Sequence, residues 1–173
     1  MPINILSFFL ANVREDVDGS VCALGVGKDV EGMTKILLVD DSKFLRMATE
    51  RALLRAGYNV SAATDGMQAI KLARTEQPDL ILLDMLLPKM TGLDVLKALK
   101  KDPLTKAIAV VAFTGLSQKN FERLKKDGAV AFLDKADLGL DRGSEGLLTA
   151  LAGILKELGK EVPTATHRAH VGA

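Results

Sequence analysis

An alternation along the chain constrains its fold more than any other feature. Short apolar runs at 36–39, 58–63, 80–83, 108–113 and 129–134 are separated by helical patterns. Ile36-Leu37-Leu38-Val39 is apolar at every position, which suits a parallel strand covered on both faces. The run at 58–63 is more polar. Ser42 can cap a helix reaching about residue 56, with Gly57 as its stop. Thr64-Asp65-Gly66 turns into a helix to about residue 76, and Pro78 breaks it. Helices are also predicted over about 91–101 and 118–126. The clearest helical stripe is the last, through Leu147, Leu148, Leu151, Ile154, Leu155 and Leu158. Alternating units of this kind predict a doubly wound α/β fold: a five-stranded parallel sheet with helices on both faces and right-handed crossovers.

The rest of the chain is read from composition. The pattern occupies 34–158, an ordinary single-domain length. Residues 1–33 form a flank that is predicted to be flexible, and 159–173 a tail predicted to be disordered. The chain has 23 Lys+Arg against 22 Asp+Glu, a balance that argues against binding nucleic acid through charge alone. That sum hides segments of net −3, +3 and +1. Cys22 is the single cysteine, so an intrachain disulfide and a multi-cysteine zinc site are excluded. The apolar patch at 5–11 is too short to span a bilayer and lacks the basic start of a signal peptide. Gly25-Val26-Gly27-Lys28 has neither the full pattern nor the strand-to-helix setting of a phosphate loop. His167 and His170 belong to the solvated tail. These readings predict a cytoplasmic protein with no membrane insertion.

Parallel α/β sheets place their chemistry at the carboxyl ends of the strands. Here those ends carry Asp40, Asp41, Asp84, Thr114 and Lys135. Alone, each has an ordinary explanation as a cap, a turn or a surface residue. Five of them in order predict a shared site. Three carboxylates at one edge repel each other and need a compensating cation. Hard oxygen donors suit Mg²⁺. A lysine could neutralise a further anion and a threonine hydroxyl could bond its oxygens. The set suits a phosphoryl group carried on a carboxylate.

Lys35-Ile36-Leu37-Leu38-Val39-Asp40-Asp41-Ser42 resembles the opening of a response-regulator receiver domain. Asp84 with Pro88 four and Gly92 eight residues on resembles that family's phospho-acceptor segment. Ala112-Phe113-Thr114-Gly115 and Phe132-Leu133-Asp134-Lys135 resemble its fourth- and fifth-strand segments. The resemblance covers about 34–158. It implies a flavodoxin-like (βα)5 fold with strand order 2-1-3-4-5. It implies that Asp84 is phosphorylated and that Asp41, Asp84 and the backbone carbonyl of Leu86 ligate Mg²⁺. Asp40 would act largely through water, and Thr114 and Lys135 would contact the phosphoryl oxygens. Phe132 holds the place of the family's switch aromatic; its other reading is a plain core phenylalanine.

The chain departs from the family pattern in two places. Ala136 follows Lys135 where the family usually has proline, and a cis bond there would cost about 3 kcal/mol. Leu86 and Leu116, two residues after Asp84 and Thr114, cannot orient a water by hydrogen bonding, so slow loss of the phosphoryl group is expected. A related phosphohydrolase would need a second acid two residues after its nucleophile; Leu86 and Lys43 stand there instead. Three readings remain. The first is a stand-alone receiver that takes phosphate from a histidine kinase or histidine phosphotransfer protein and signals by docking to an unknown protein target. It would be no enzyme beyond its own aspartyl chemistry. The others are an intermediate phosphorelay carrier and a phosphate-independent scaffold. Met33-Thr34-Lys35 is a natural place for a receiver to begin, so 1–32 are expected to be an over-extended start or a disordered arm.

Overall fold

The structure, a computed structural model, describes residues 33–115, 121–135 and 144–163. Its elements are β1 (Lys35–Val39), α1 (Lys43–Arg55), β2 (Asn59–Ala63), α2 (Gly66–Glu76), β3 (Leu80–Leu83), α3 (Gly92–Lys101), β4 (Ala109–Thr114), α4 (Phe121–Lys126), β5 (Ala131–Asp134) and α5 (Glu145–Glu157). The five strands form one parallel sheet in the order β2-β1-β3-β4-β5. Both the order and the doubly wound architecture agree with the sequence expectation.

Strand periodicity divides the core into two layers. Leu37, Val39, Ile81, Leu83, Val110 and Ala112 face one side with Ala69, Ala73, Val95, Leu96, Leu99 and Leu124, which belong to α2, α3 and α4. Ile36, Leu38, Leu80, Leu82, Val111 and Phe113 face the other side with Leu53 of α1 and Leu147, Leu151 and Leu155 of α5. Every residue of β3 and β4 is buried, as central parallel strands require. β2 and β5 lie at the sheet edges, and their side chains are mostly half-buried.

The helix starts follow from local chemistry. Ser42, Asp65 and Thr91 each accept a backbone N–H from the first turn of the helix they cap. Gly57 at φ 92° and Gln77 at φ 47° end α1 and α2 in the left-handed region. Several boundaries differ by a residue or two from the sequence reading. Tyr58 donates its N–H to the Leu53 carbonyl and so closes α1 instead of opening β2. The N–H of Ile108 closes a turn on the Thr105 carbonyl, which delays β4. That of Ala129 bonds the Leu124 carbonyl, which delays β5.

The tail expected from residue 159 begins with a packed stretch. Thr34 donates its hydroxyl to the Glu161 carbonyl. Lys160 Nζ lies 2.8 Å from Asp79 Oδ1, and Val162 packs against the Leu155 layer. The physical reason is the open amino edge of the sheet, where Asp79 and Thr34 offer polar partners beside apolar Val60 and Tyr58. The expectations for residues 1–32 (Cys22 included), Leu116, the Ala136 segment to residue 143, and His167 and His170 lie outside the described residues.

Candidate functional site

Each strand-end residue sits where its strand delivers it. Asp40 follows β1 and donates its N–H to the Ala63 carbonyl at 3.1 Å, prolonging the ladder with β2. Asp84 follows β3 and donates its N–H to the Val39 carbonyl at 2.9 Å. Thr114 ends β4 fully buried, in register with Asp134. Lys135 comes next, one residue beyond β5. The carboxyl edge therefore gathers side chains separated by up to 95 positions in the chain.

Three carboxylates meet there. One oxygen from each of Asp40, Asp41 and Asp84 lies within 4.8 Å of the others. Asp40 is fully buried and Asp84 nearly so, while Asp41 is exposed. Two buried anions at this separation need positive charge. Lys135 supplies it, with Nζ at 2.8 Å from Asp40 Oδ2 and 2.6 Å from Asp84 Oδ2. Its stem places the ammonium 5.3 Å from the centre of the Phe113 ring. Burial pulls the Lys135 pKa down, but the hydrogen bonds and charges of Asp40 and Asp84 outweigh it and hold the ammonium above its ordinary value. Lys135 is charged throughout the neutral range.

Backbone amides hold the remaining carboxylate oxygens. Asp40 Oδ1 accepts the Ser42 N–H at 2.8 Å, and Asp84 Oδ1 accepts the Leu86 N–H at 2.9 Å. Both are turns in which an Asp bonds the amide two residues on. The Leu86 side chain points to solvent and is 60% exposed. Phe132, in β5, is half-buried and packs against the α2–α3–α4 layer. Gly92 explains the tight seat of the Asp84 segment. A Cβ there would lie 2.3 Å from the Asp84 carbonyl oxygen and 2.5 Å from Met85 Cα, so only glycine lets α3 approach so closely.

The site thus unites Asp40, Asp41, Asp84 and Lys135 by direct contact or close approach, with Thr114 buried at the end of the intervening strand. Sequence reading missed the two amides and Arg46. The guanidinium Nη1 of Arg46 donates to the Asp40 carbonyl at 2.8 Å and the Asp41 carbonyl at 3.4 Å. A signal for it exists: helical side chains lean toward the N-terminus, and Arg46 lies in the first turns after the Ser42 cap. The donor set fits Mg²⁺, because hard carboxylate oxygens converge at an edge open to water on the Asp41 side.

A family model for the response regulator receiver domain matches residues 36–139. The polar-differentiation response regulator DivK of Brucella ovis is 38% identical over 105 residues, covering 60% of this chain and 85% of DivK. Among solved structures, the Vibrio cholerae chemotaxis protein CheY4 is 32% identical with a TM-score of 0.64, covering 72% of this chain and all of that one. A CheY-like receiver domain protein from Methanospirillum hungatei is 26% identical with a TM-score of 0.65, covering 74% of this chain and 98% of its own.

Proposed function

Because the chain belongs to the response-regulator receiver family, we propose that it works as a signalling switch phosphorylated on Asp84 by a histidine kinase or a histidine phosphotransfer protein. The observation that carries this reading is the buried Asp84 carboxylate, 2.6 Å from Lys135 and within 4.8 Å of two further carboxylates. In the proposed step, an Asp84 oxygen forms a P–O bond to the phosphoryl group of a phosphohistidine. The P–N bond breaks, and the imidazole leaves with the electron pair and takes up a proton. Lys135 moves from the carboxylate to the phosphoryl oxygens, and the Thr114 hydroxyl bonds another of them. Asp40, Asp41, Asp84 and the Leu86 carbonyl would hold Mg²⁺, which supplies charge neutralisation at the phosphoryl oxygens when bound.

Output follows as a local charge event biasing a two-state element. Thr114 closes on the phosphate, Phe132 takes up the space this opens, and the surface of α4, β5 and α5 is reshaped. The partner read by that surface is a protein, since the positive charge of the domain is modest and scattered. Among the described residues, no helix is long and apolar enough to cross a membrane.

The test is incubation with Mg²⁺ and acetyl phosphate, followed by intact-mass analysis. Wild type should gain one phosphoryl group and Asp84→Asn none. An unlabelled wild type would support the scaffold reading instead. Rapid onward transfer to a histidine phosphotransfer protein would support the relay reading.

A further inference from the structure

The loop between β1 and α1 carries two of the three carboxylates, and its geometry decides where they point. Ser42 N–H and Lys135 Nζ hold the Asp40 side chain. Among the described residues, no hydrogen bond or ion pair holds the Asp41 carboxylate, which is exposed. Its direction is therefore set by the peptide units around it. Those units are tied by Arg46, whose Nη1 reaches the Asp40 carbonyl at 2.8 Å and the Asp41 carbonyl at 3.4 Å. The backbone N–H of Arg46 bonds the Ser42 carbonyl at 2.9 Å, so the residue is anchored in α1 while its side chain folds back over the loop.

The placement is unfavourable in isolation. A cation at a helix N-terminus opposes the helix dipole, and the first turn of α1 contains no acidic residue to offset it. The two carbonyls and the acidic cluster beyond them supply the compensation. We propose that Arg46 is a positioning residue: it fixes the Asp40–Asp41 backbone so that the Asp41 carboxylate converges with Asp84 on the cation. It acts through Asp41 and touches neither cation nor phosphoryl group. This rests on the proposed Mg²⁺-dependent function.

Charge and positioning have opposite signs here, which makes the idea testable. Removing a positive charge beside a cation site, with no other effect, tightens Mg²⁺ binding. Removing a group that orients a ligand weakens it, by about tenfold or more. The experiment is isothermal titration of Mg²⁺ into wild type, Arg46→Ala and Arg46→Lys, with far-UV circular dichroism confirming the fold of each. Arg46→Ala should raise the Mg²⁺ Kd about tenfold, and Arg46→Lys, which retains a donor on a long stem, should recover part of the loss. Phosphorylation by acetyl phosphate should show the same split: a higher half-saturating Mg²⁺ concentration with an unchanged rate at saturation. If Arg46→Ala does not fold, Arg46→Lys alone decides, through a Kd above wild type. An unchanged or tighter Kd in the folded variants overturns the proposal. Absence of Mg²⁺ binding by wild type would instead overturn the functional reading beneath it.

Discussion

Lys135 and Asp84 are partners in one ion pair, yet their removal should have unequal consequences for stability. With an effective dielectric of about 20, the contacts of Lys135 at 2.8 and 2.6 Å are together worth about 12 kcal/mol of gross attraction. Desolvation cancels most of that, and removing one partner of a buried pair costs about 3–5 kcal/mol net. The Lys135 side chain retains some contact with water, at 15% exposure, so Lys135→Met should fall at the lower end, about 3 kcal/mol. Methionine keeps the stem beside Phe113, which confines the change to charge. Asp84→Asn loses one attraction, about 6 kcal/mol on the same scale, but also relieves two repulsions at up to 4.8 Å, about 3.5 kcal/mol or more from buried Asp40 and less from exposed Asp41. These nearly cancel, so Asp84→Asn should lie within about 1 kcal/mol of wild type. The assay is urea unfolding followed by circular dichroism in a chelator, repeated with Mg²⁺. Mg²⁺ stabilises the folded state by an amount that grows with the logarithm of its concentration over its Kd, and Lys135→Met, with no lysine competing for Asp40 and Asp84, should gain more from it than wild type. Equal losses in the two variants, or a Lys135→Met as stable as wild type without Mg²⁺, would mean that the lysine does not offset the buried carboxylates.

Three further outcomes are expected. Gly92→Ala should cost at least about 3 kcal/mol in unfolding experiments, because its Cβ meets the Asp84 backbone, whereas Gly153→Ala, with open space around it in α5, should be neutral or stabilising by up to about 1 kcal/mol. Asp79→Asn should lose about 1 kcal/mol at pH 7. Burial raises the Asp79 pKa, but the bonds from Lys160 and the Lys35 amide lower it further. A lowered carboxyl contributes stability fully above its unfolded pKa and loses it as pH falls through the folded value, so wild type and Asp79→Asn should converge under acid denaturation below about pH 4. Replacing exposed Leu86 by Glu, which can accept a hydrogen bond from water, should shorten the phosphoryl lifetime about tenfold or more; a wild-type lifetime of seconds in Mg²⁺ would contradict the premise.

The sheet and most of the site were legible because parallel strands print their two-sided burial directly into the sequence. Ile36-Leu37-Leu38-Val39 could hardly be anything but a covered strand, and the next residue is then at a carboxyl end. Contacts made by backbone were not legible in this way. The Leu86 and Ser42 amides depend on local turns that residue type does not specify, and Arg46 reads as one more surface base until the loop is folded beneath it. The contacts at 159–163 were missed for a related reason: Lys160 and Glu161 are polar and exposed, and their partners, Asp79 and Thr34, are remote in sequence.

The seat of Asp84 has a mechanical consequence. Its amide is bonded to the Val39 carbonyl, and its own carbonyl lies under Gly92 with no room even for a methyl group. The neighbouring Met85 carbonyl accepts the Gly92 N–H at 3.2 Å. The Asp84 backbone is therefore an anvil, clamped between a central strand and a helix start. A phosphoryl charge on its side chain, as the proposed function has it, would not be relieved by recoil of the main chain at residue 84. On the proposed function, the response would fall on the far side of the cluster, at the end of β4 and along the half-buried edge strand β5, next to Lys135, which holds the Asp84 carboxylate directly.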